Sequence, residues 1–167
     1  MGSIRTVGVV GAGQMGTGIA HVCALGGHEV RLHDAVPERI EAALGEVTAS
    51  LARAVEKGRA TEADAAAARA RVIAAPSLAD VGACDLVIEA ATEQEDVKKA
   101  VFASLTPHLA PHTILASNTS SISITRLASS TDRPERFIGL HFMKPAPVMK
   151  LVELIRGIAT DTATYDA

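Results

Sequence analysis

The stretch Val7-Gly8-Val9-Val10-Gly11-Ala12-Gly13-Gln14-Met15-Gly16 passes from an apolar run straight into G-x-G-x-x-G, and Asp34 follows Gly16 by eighteen positions. In a βαβ unit the first glycine of such a turn permits the tight bend. The second lets backbone approach a pyrophosphate, and the third lets helix and strand pack closely. The helix N-terminus beyond offers unpaired N–H groups to phosphate oxygens. Three glycines alone are weak evidence, but a strand before them, a helix after them and an acid at this distance point to an NAD-type dinucleotide. A carboxylate at Asp34 accepts bonds from a free ribose 2′-hydroxyl and repels a 2′-phosphate, favouring NAD over NADP. Arg31 and Arg39 lie close enough in sequence to bear on that choice.

Outward from this turn, Met15, Ile19, Val22 and Cys23 make a helical stripe stopped by Gly26-Gly27. Residues 29–34 alternate as a second strand, and Pro37 stands where a first helical residue belongs. Ile40, Ala43, Leu44, Val47, Leu51 and Val55 keep a helical period, and alanine-rich residues 61–71 read as a second helix. A helical hairpin over about 38–71 is therefore expected to project between strands. Strands are expected at 72–75, 85–90 and 113–116, with an amphipathic helix through Val97, Ala100, Val101, Leu105 and Leu109 between the last two. Residues 137–142 and 150–155 are two more apolar runs. The alternation predicts an α/β chain: one Rossmann-type domain over residues 1–167, with a doubly wound, mostly parallel sheet of about seven or eight strands. Residues 160–165 read as the cap and first turn of a further helix.

Of the 167 residues, 48% are hydrophobic but only 2% aromatic, so the core must be built from Ala, Val, Leu and Ile. A net charge of −3 with no basic run argues against nucleic-acid or anionic-membrane surfaces, so any phosphate site must be local. Cys23 and Cys84 sit in apolar surroundings without metal-ligand spacing; they read as small buried hydrophobes in a reducing compartment, and no metal is expected. The chain runs directly into its first strand and holds no stretch of about twenty apolar residues, so a cytoplasmic protein with no membrane partner is expected.

Ser120, His141 and Glu153 fall near the carboxyl ends of expected strands, where ligands bind in open α/β sheets. Glu153 interrupts Leu151-Val152-Glu153-Leu154-Ile155, a run in which a buried carboxylate needs a partner. His141, ending Phe137-Ile138-Gly139-Leu140, is the natural one, since a carboxylate on one ring nitrogen fixes the tautomer. Such a pair is a general base with an orienting acid, suited to take a hydroxyl proton while hydride leaves the same carbon. By pattern alone His141 reads equally as a buried histidine satisfied by backbone, and residues 117–120 as a turn of self-bonding side chains. His21, His28, His33, His108 and His112 sit at element margins and read as incidental.

Four motifs occur in fixed order: Gly11 to Gly16, Ser117-Asn118-Thr119-Ser120-Ser121, Gly139-Leu140-His141-Phe142 and Met149-Lys150-Leu151-Val152-Glu153. Together they resemble the NAD-binding domain of the L-3-hydroxyacyl-CoA dehydrogenases over essentially the whole chain. The resemblance implies that His141 is the catalytic base, Glu153 its orienting partner and Ser120 the donor to the substrate's 3-oxygen. Asn118 would lie beside them near the nicotinamide. It implies NAD held by Gly11, Gly13, Gln14, Met15 and Gly16, the ribose by Asp34, and further cofactor contacts from Ala90, Glu93 and Lys98. Ser50 and Lys57 match positions that hold the coenzyme A portion of an acyl-CoA; their spacing of seven puts both on one helix face. Lys144 stands where the family usually has Asn, which bears on the acyl group selected. The family continues into a helical second domain that covers the acyl group and forms the dimer interface. That domain is expected to be absent here, so full activity is expected to need it in trans or through oligomerisation. Dehydrogenation of a hydroxy sugar acid or of a carrier-protein-bound hydroxyacyl group, and a catalytically silent NAD-binding module, remain as alternatives.

Overall fold

The computed structural model describes residues 4–167. Seven strands form one sheet: β1 (Thr6–Val10), β2 (Glu29–His33), β3 (Val72–Ala74), β4 (Leu86–Glu89), β5 (Ile114–Ser117), β6 (Phe137–Phe142) and β7 (Val152–Arg156). Their order is β3-β2-β1-β4-β5-β6-β7; all neighbours are parallel except β6 and β7. The chain reverses its direction of travel between β1 and β4, and the glycine turn leaves β1 at that switch point.

Both faces of the central strands are covered, which is why they read as continuous apolar runs. Val7, Val9, Leu86, Ile88, Ile114 and Ala116 point to one face, with Ile19 and Ala20 of α1 (Gln14–Leu25), Ala43, Val47 and Leu51 of α2 (Pro37–Glu56), and Ala65 and Ala68 of α3 (Glu62–Arg71). Val10, Val87, Leu115 and Phe137 point to the other. There they meet Val81 of α4 (Leu78–Gly82), Phe102 and Leu105 of α5 (Glu95–Leu105), and Ile124 and Leu127 of α6 (Ile124–Ala128).

The α2–α3 hairpin, helices α4 and α6, and strand β7 differ from the sequence expectation. The α2–α3 hairpin does not stand away from the domain; Ala43, Val47 and Leu51 bury it against α1. Helices α4 and α6 were not foreseen because five residues carry too little periodicity. Their caps define them instead: Ser77 and Asp80 form a reciprocal capping box, and the Ser123 hydroxyl accepts from the Arg126 N–H. Strand β7 is an exposed edge, with Leu151, Val152 and Leu154 open to solvent rather than buried. The expected last turn is present as α7 (Thr162–Asp166), capped by Asp161. Among the described residues no helix is long and apolar enough to cross a membrane, and no cluster of His, Cys, Asp and Glu is arranged for a metal.

Candidate active site

The three glycines of the turn meet three different constraints. Gly11 has φ +110°, and a Cβ there would sit 2.7 Å from the Ala90 carbonyl oxygen. A Cβ at Gly16 would lie 1.7 Å from the Gly11 oxygen, so helix and turn are in direct contact. At Gly13 nothing lies within 4 Å of the Cβ position. That empty cradle is what backbone approach to a phosphate requires. Among the α-helices of the described residues, α1 alone has neither a capping side chain nor an acid in its first turn. Its first-turn N–H groups therefore point at the cradle without partners of their own. The residues present fit a dinucleotide pyrophosphate.

On one side of Gly13 lies a cavity of about 570 Å³ walled by Asp34, Arg39, Leu78, Ala90, Ala91 and Thr92, among others. Asp34 Oδ2 accepts from the Ala12 N–H at 2.8 Å and Oδ1 from the Val36 N–H at 2.9 Å, which fixes the carboxylate beside the turn. Arg39 joins that cavity, 3.9 Å from Asp34, whereas Arg31 does not line it. On the other side a cavity of about 550 Å³ is lined by Gln14, Met15, Ser50, Lys57 and the loop Pro145 to Val148. Ser50 and Lys57 do share that face of α2 and its end. Arg53 and Arg59 line it too; Arg53 pairs with Glu46, leaving the wall net positive. His21, read from sequence as incidental, is buried on this wall, and burial, then Arg59 and Arg53, push its pKa below the ordinary histidine value. Lys144 is exposed at the start of the 145–148 loop.

His141 on β6 stands directly opposite Glu153 on β7, and its Nδ1 lies 2.8 Å from Glu153 Oε2. An Nδ1–H donating to that carboxylate leaves Nε2 with a lone pair for a substrate proton. The pairing is as the sequence suggested, but the burial is not. Glu153's side chain is 51% exposed, because the β7 edge leaves the carboxylate in water.

The loop after β5 is tied down from both sides. Asn118 Oδ1 accepts from the Phe142 N–H at 2.9 Å, beside His141. Glu93 Oε1 accepts from the Ser120 and Ser121 N–H groups at 2.9 and 3.1 Å and from the hydroxyls of Thr119, Ser120 and Ser121. Partial burial works against its ionisation, but the Thr119 and Ser120 bonds, Lys98 and Ser121 outweigh it and hold the carboxyl down at about 2. Glu93 thus grips the loop that carries Ser120. Lys98 is buried, one layer behind the cavity wall.

The sequence reading gave Glu89 no role and took Ser117 only as part of the serine motif; both are fully buried, at the ends of β4 and β5. Glu89 closes the apolar run Leu86-Val87-Ile88, the same signal that drew attention to Glu153.

Comparison with known proteins gives a consistent result. The family model "3-hydroxyacyl-CoA dehydrogenase, NAD binding domain" matches residues 6–167. A 3-hydroxybutyryl-CoA dehydrogenase of Bradyrhizobium diazoefficiens is 56% identical over 98% of this chain and 56% of its own length. The 3-hydroxyadipyl-CoA dehydrogenase of Escherichia coli is 46% identical over 95% of this chain and 33% of its own. The crystal structure of (S)-3-hydroxybutyryl-CoA dehydrogenase from Ralstonia eutropha superposes with a TM-score of 0.94 at 49% identity, covering 98% of this chain and 58% of that one. The chain spans about half the length of the 3-hydroxybutyryl-CoA dehydrogenases it matches.

Proposed function

This chain belongs to the 3-hydroxyacyl-CoA dehydrogenase family, matching its NAD-binding domain, and from that premise we propose that it carries the chemistry of NAD-dependent, reversible oxidation of an L-3-hydroxyacyl-CoA to the 3-oxoacyl-CoA. The observation that carries the proposal is the His141–Glu153 pair, 2.8 Å apart at the carboxyl edge of the sheet and tied through Phe142 and Asn118 to the serine loop. NAD, when bound, supplies the hydride acceptor. Gly13, Gln14 and Met15 would hold its pyrophosphate on the turn that Gly11 and Gly16 shape, Asp34 would hold its adenosine ribose, and Ala90 would wall the cavity beside it. His141 takes the substrate's hydroxyl proton at Nε2 as the C–H electron pair leaves the same carbon. Glu153 orients the ring and stabilises the imidazolium that forms. Ser120 turns its hydroxyl from Glu93 to donate to the 3-oxygen, with Asn118 next to it, while the Ser120 and Ser121 N–H groups and the Thr119 and Ser121 hydroxyls keep the loop on Glu93.

The net positive cavity with Ser50, Lys57, Arg53 and Arg59 supports a phosphate-bearing acyl carrier, coenzyme A, on the opposite side of Gly13. Val148, Met149, Leu151 and Leu154, on β7 and the loop before it, are exposed, which supports a covering helical body over this edge during turnover, in trans or from a second copy. We place the reaction in cytosolic fatty acyl-CoA metabolism. Both cysteines are free; Cys84 is buried and Cys23 half-buried against the core, and desolvation pushes Cys23 up to about 12 and Cys84 to about 11, as inert thiols. A screen of 3-hydroxyacyl-CoA, sugar-acid and carrier-protein substrates with NAD and NADP, with and without a separately supplied helical domain, tests the proposal. It is supported by NAD-dependent turnover confined to CoA thioesters. Turnover confined to the other classes overturns it.

A further inference from the structure

Behind the wall of the cavity beside Asp34 lies a buried charge cluster that the reaction chemistry does not use. Glu89 and Ser117 are 0% exposed and Lys98 is 1% exposed. Lys98 Nζ donates to both Glu89 oxygens, at 2.8 and 3.1 Å, and to the Ala91 carbonyl at 3.3 Å. Glu89 Oε1 also accepts from the Ala91 N–H at 2.7 Å, while Oε2 accepts from the Ser117 hydroxyl at 2.6 Å. The Glu89 carbonyl takes the Asn118 N–H at 2.9 Å. Lys98 also reaches Glu93 Oε2 at 3.4 Å, and Glu93 in turn grips residues 119–121.

Every member of this cluster ends on one of two loops. One, Ala90 to Thr92, walls the cavity beside Asp34; the other, Asn118 to Ser121, carries the proposed substrate donors. Register explains why one carboxylate reaches both: Val10, Glu89, Ser117 and Gly139 stand in a single row across β1, β4, β5 and β6, at the carboxyl edge of the sheet. A buried ion pair is a poor source of net stability, since desolvation cancels most of the attraction. Its directional bonds are what an apolar pair of the same size does not supply.

We propose that Glu89, held by Lys98 and Ser117, is a positioning residue that locks the cofactor-side loop and the substrate-side loop into one unit, so that the two halves of the site share a single geometry. Lys98 then acts through Glu89 and Glu93. This inference rests on the assignment of the cavity beside Asp34 to NAD.

Three variants of the full chain test it: Ser117→Ala, Lys98→Met, and the neutral double replacement Glu89→Gln with Lys98→Met, which leaves no unpaired buried charge. Amide hydrogen exchange is read without cofactor, NADH affinity by fluorescence titration, and folding by thermal melting. Losing one such hydrogen bond is expected to speed exchange about tenfold at Ala91 and at Asn118 to Ile122 together. The double variant, melting near the parent, is expected to bind NADH about tenfold more weakly. Faster exchange confined to one loop, or unchanged exchange and affinity in a well-folded double variant, overturns the coupling. Should the double variant fail to fold, Ser117→Ala, which removes one hydroxyl, decides by the same exchange pattern. If the parent itself binds no NADH, the cofactor assignment fails while the exchange experiment still judges the coupling.

Discussion

His141 and Glu153 face each other across the antiparallel β6–β7 pair, with Nδ1 and Oε2 2.8 Å apart. Because β7 is an edge strand, the carboxylate is half in water and the imidazole is largely covered. The ring is therefore held by one directional bond and strand geometry, not by a buried ion pair. Replacing His141 with Ala is expected to lower kcat by about a thousandfold with NADH affinity unchanged. Glu153→Gln keeps an oxygen opposite Nδ1 and is expected to cost about tenfold to a hundredfold. Single-turnover reduction of a 3-oxoacyl-CoA measures both; equal activity of Glu153→Gln and parent would remove the orienting role.

Gly13 and Gly16 are predicted to fail in opposite ways on substitution by Ala. A Cβ at Gly13 meets nothing within 4 Å, so the variant should melt with the parent yet bind NADH at least about tenfold more weakly, because the methyl occupies the pyrophosphate cradle. At Gly16 the Cβ would lie 1.7 Å from the Gly11 oxygen, so the fold itself should suffer. A fall of roughly 10 °C in Tm is expected there. Melting curves and NADH titrations on the two variants separate the cases.

Asp34 is predicted to set cofactor choice. Its carboxylate is pinned by the Ala12 and Val36 N–H groups, and the nearest cation, Arg39, is 3.9 Å away on an exposed side chain. The parent should therefore prefer NADH to NADPH by more than about tenfold, and Asp34→Asn should erase most of that preference. Competitive titration with the two cofactors is the measurement; an unchanged ratio in the variant would shift the discrimination elsewhere.

Glu93 is predicted to make the stability of the serine loop sensitive to acid. Its folded value of about 2 lies below the ordinary 4.5, so it favours the folded state above pH 4.5 and loses that contribution as pH falls toward 2. Its side chain is 38% exposed, so solvent screening reduces the effect. The difference in urea midpoint between parent and Glu93→Gln should be constant from pH 7 to about 5 and shrink below that. A difference that grows on acidification would contradict the assignment.

The succession of strands and helices along the chain, the glycine turn and the His141–Glu153 pairing were legible in sequence because each rests on local spacing or on a strand period. What escaped was set by context. Helices α4 and α6 depend on Ser77 and Ser123 caps rather than on periodicity. The reasoning that an acid in an apolar run must be buried was applied to Glu153, which an edge strand leaves wet, and not to Glu89, where it holds. Edge and centre cannot be told apart from a run of Leu, Val and Ile alone. His21, Arg53 and Arg59 came onto one wall only because α2 folds back on α1.

The most direct test of the central claim uses NADH deuterated at the transferable position of its nicotinamide ring, acetoacetyl-CoA, and this chain supplemented with the helical portion of a relative. The account predicts deuterium on the carbinol carbon of 3-hydroxybutyryl-CoA, one per NADH consumed. It also predicts a rate lowered by about a thousandfold in His141→Ala, although that variant binds NADH as the parent does. Undiminished transfer in His141→Ala, or bound NADH with no label in the product of the parent, would contradict it.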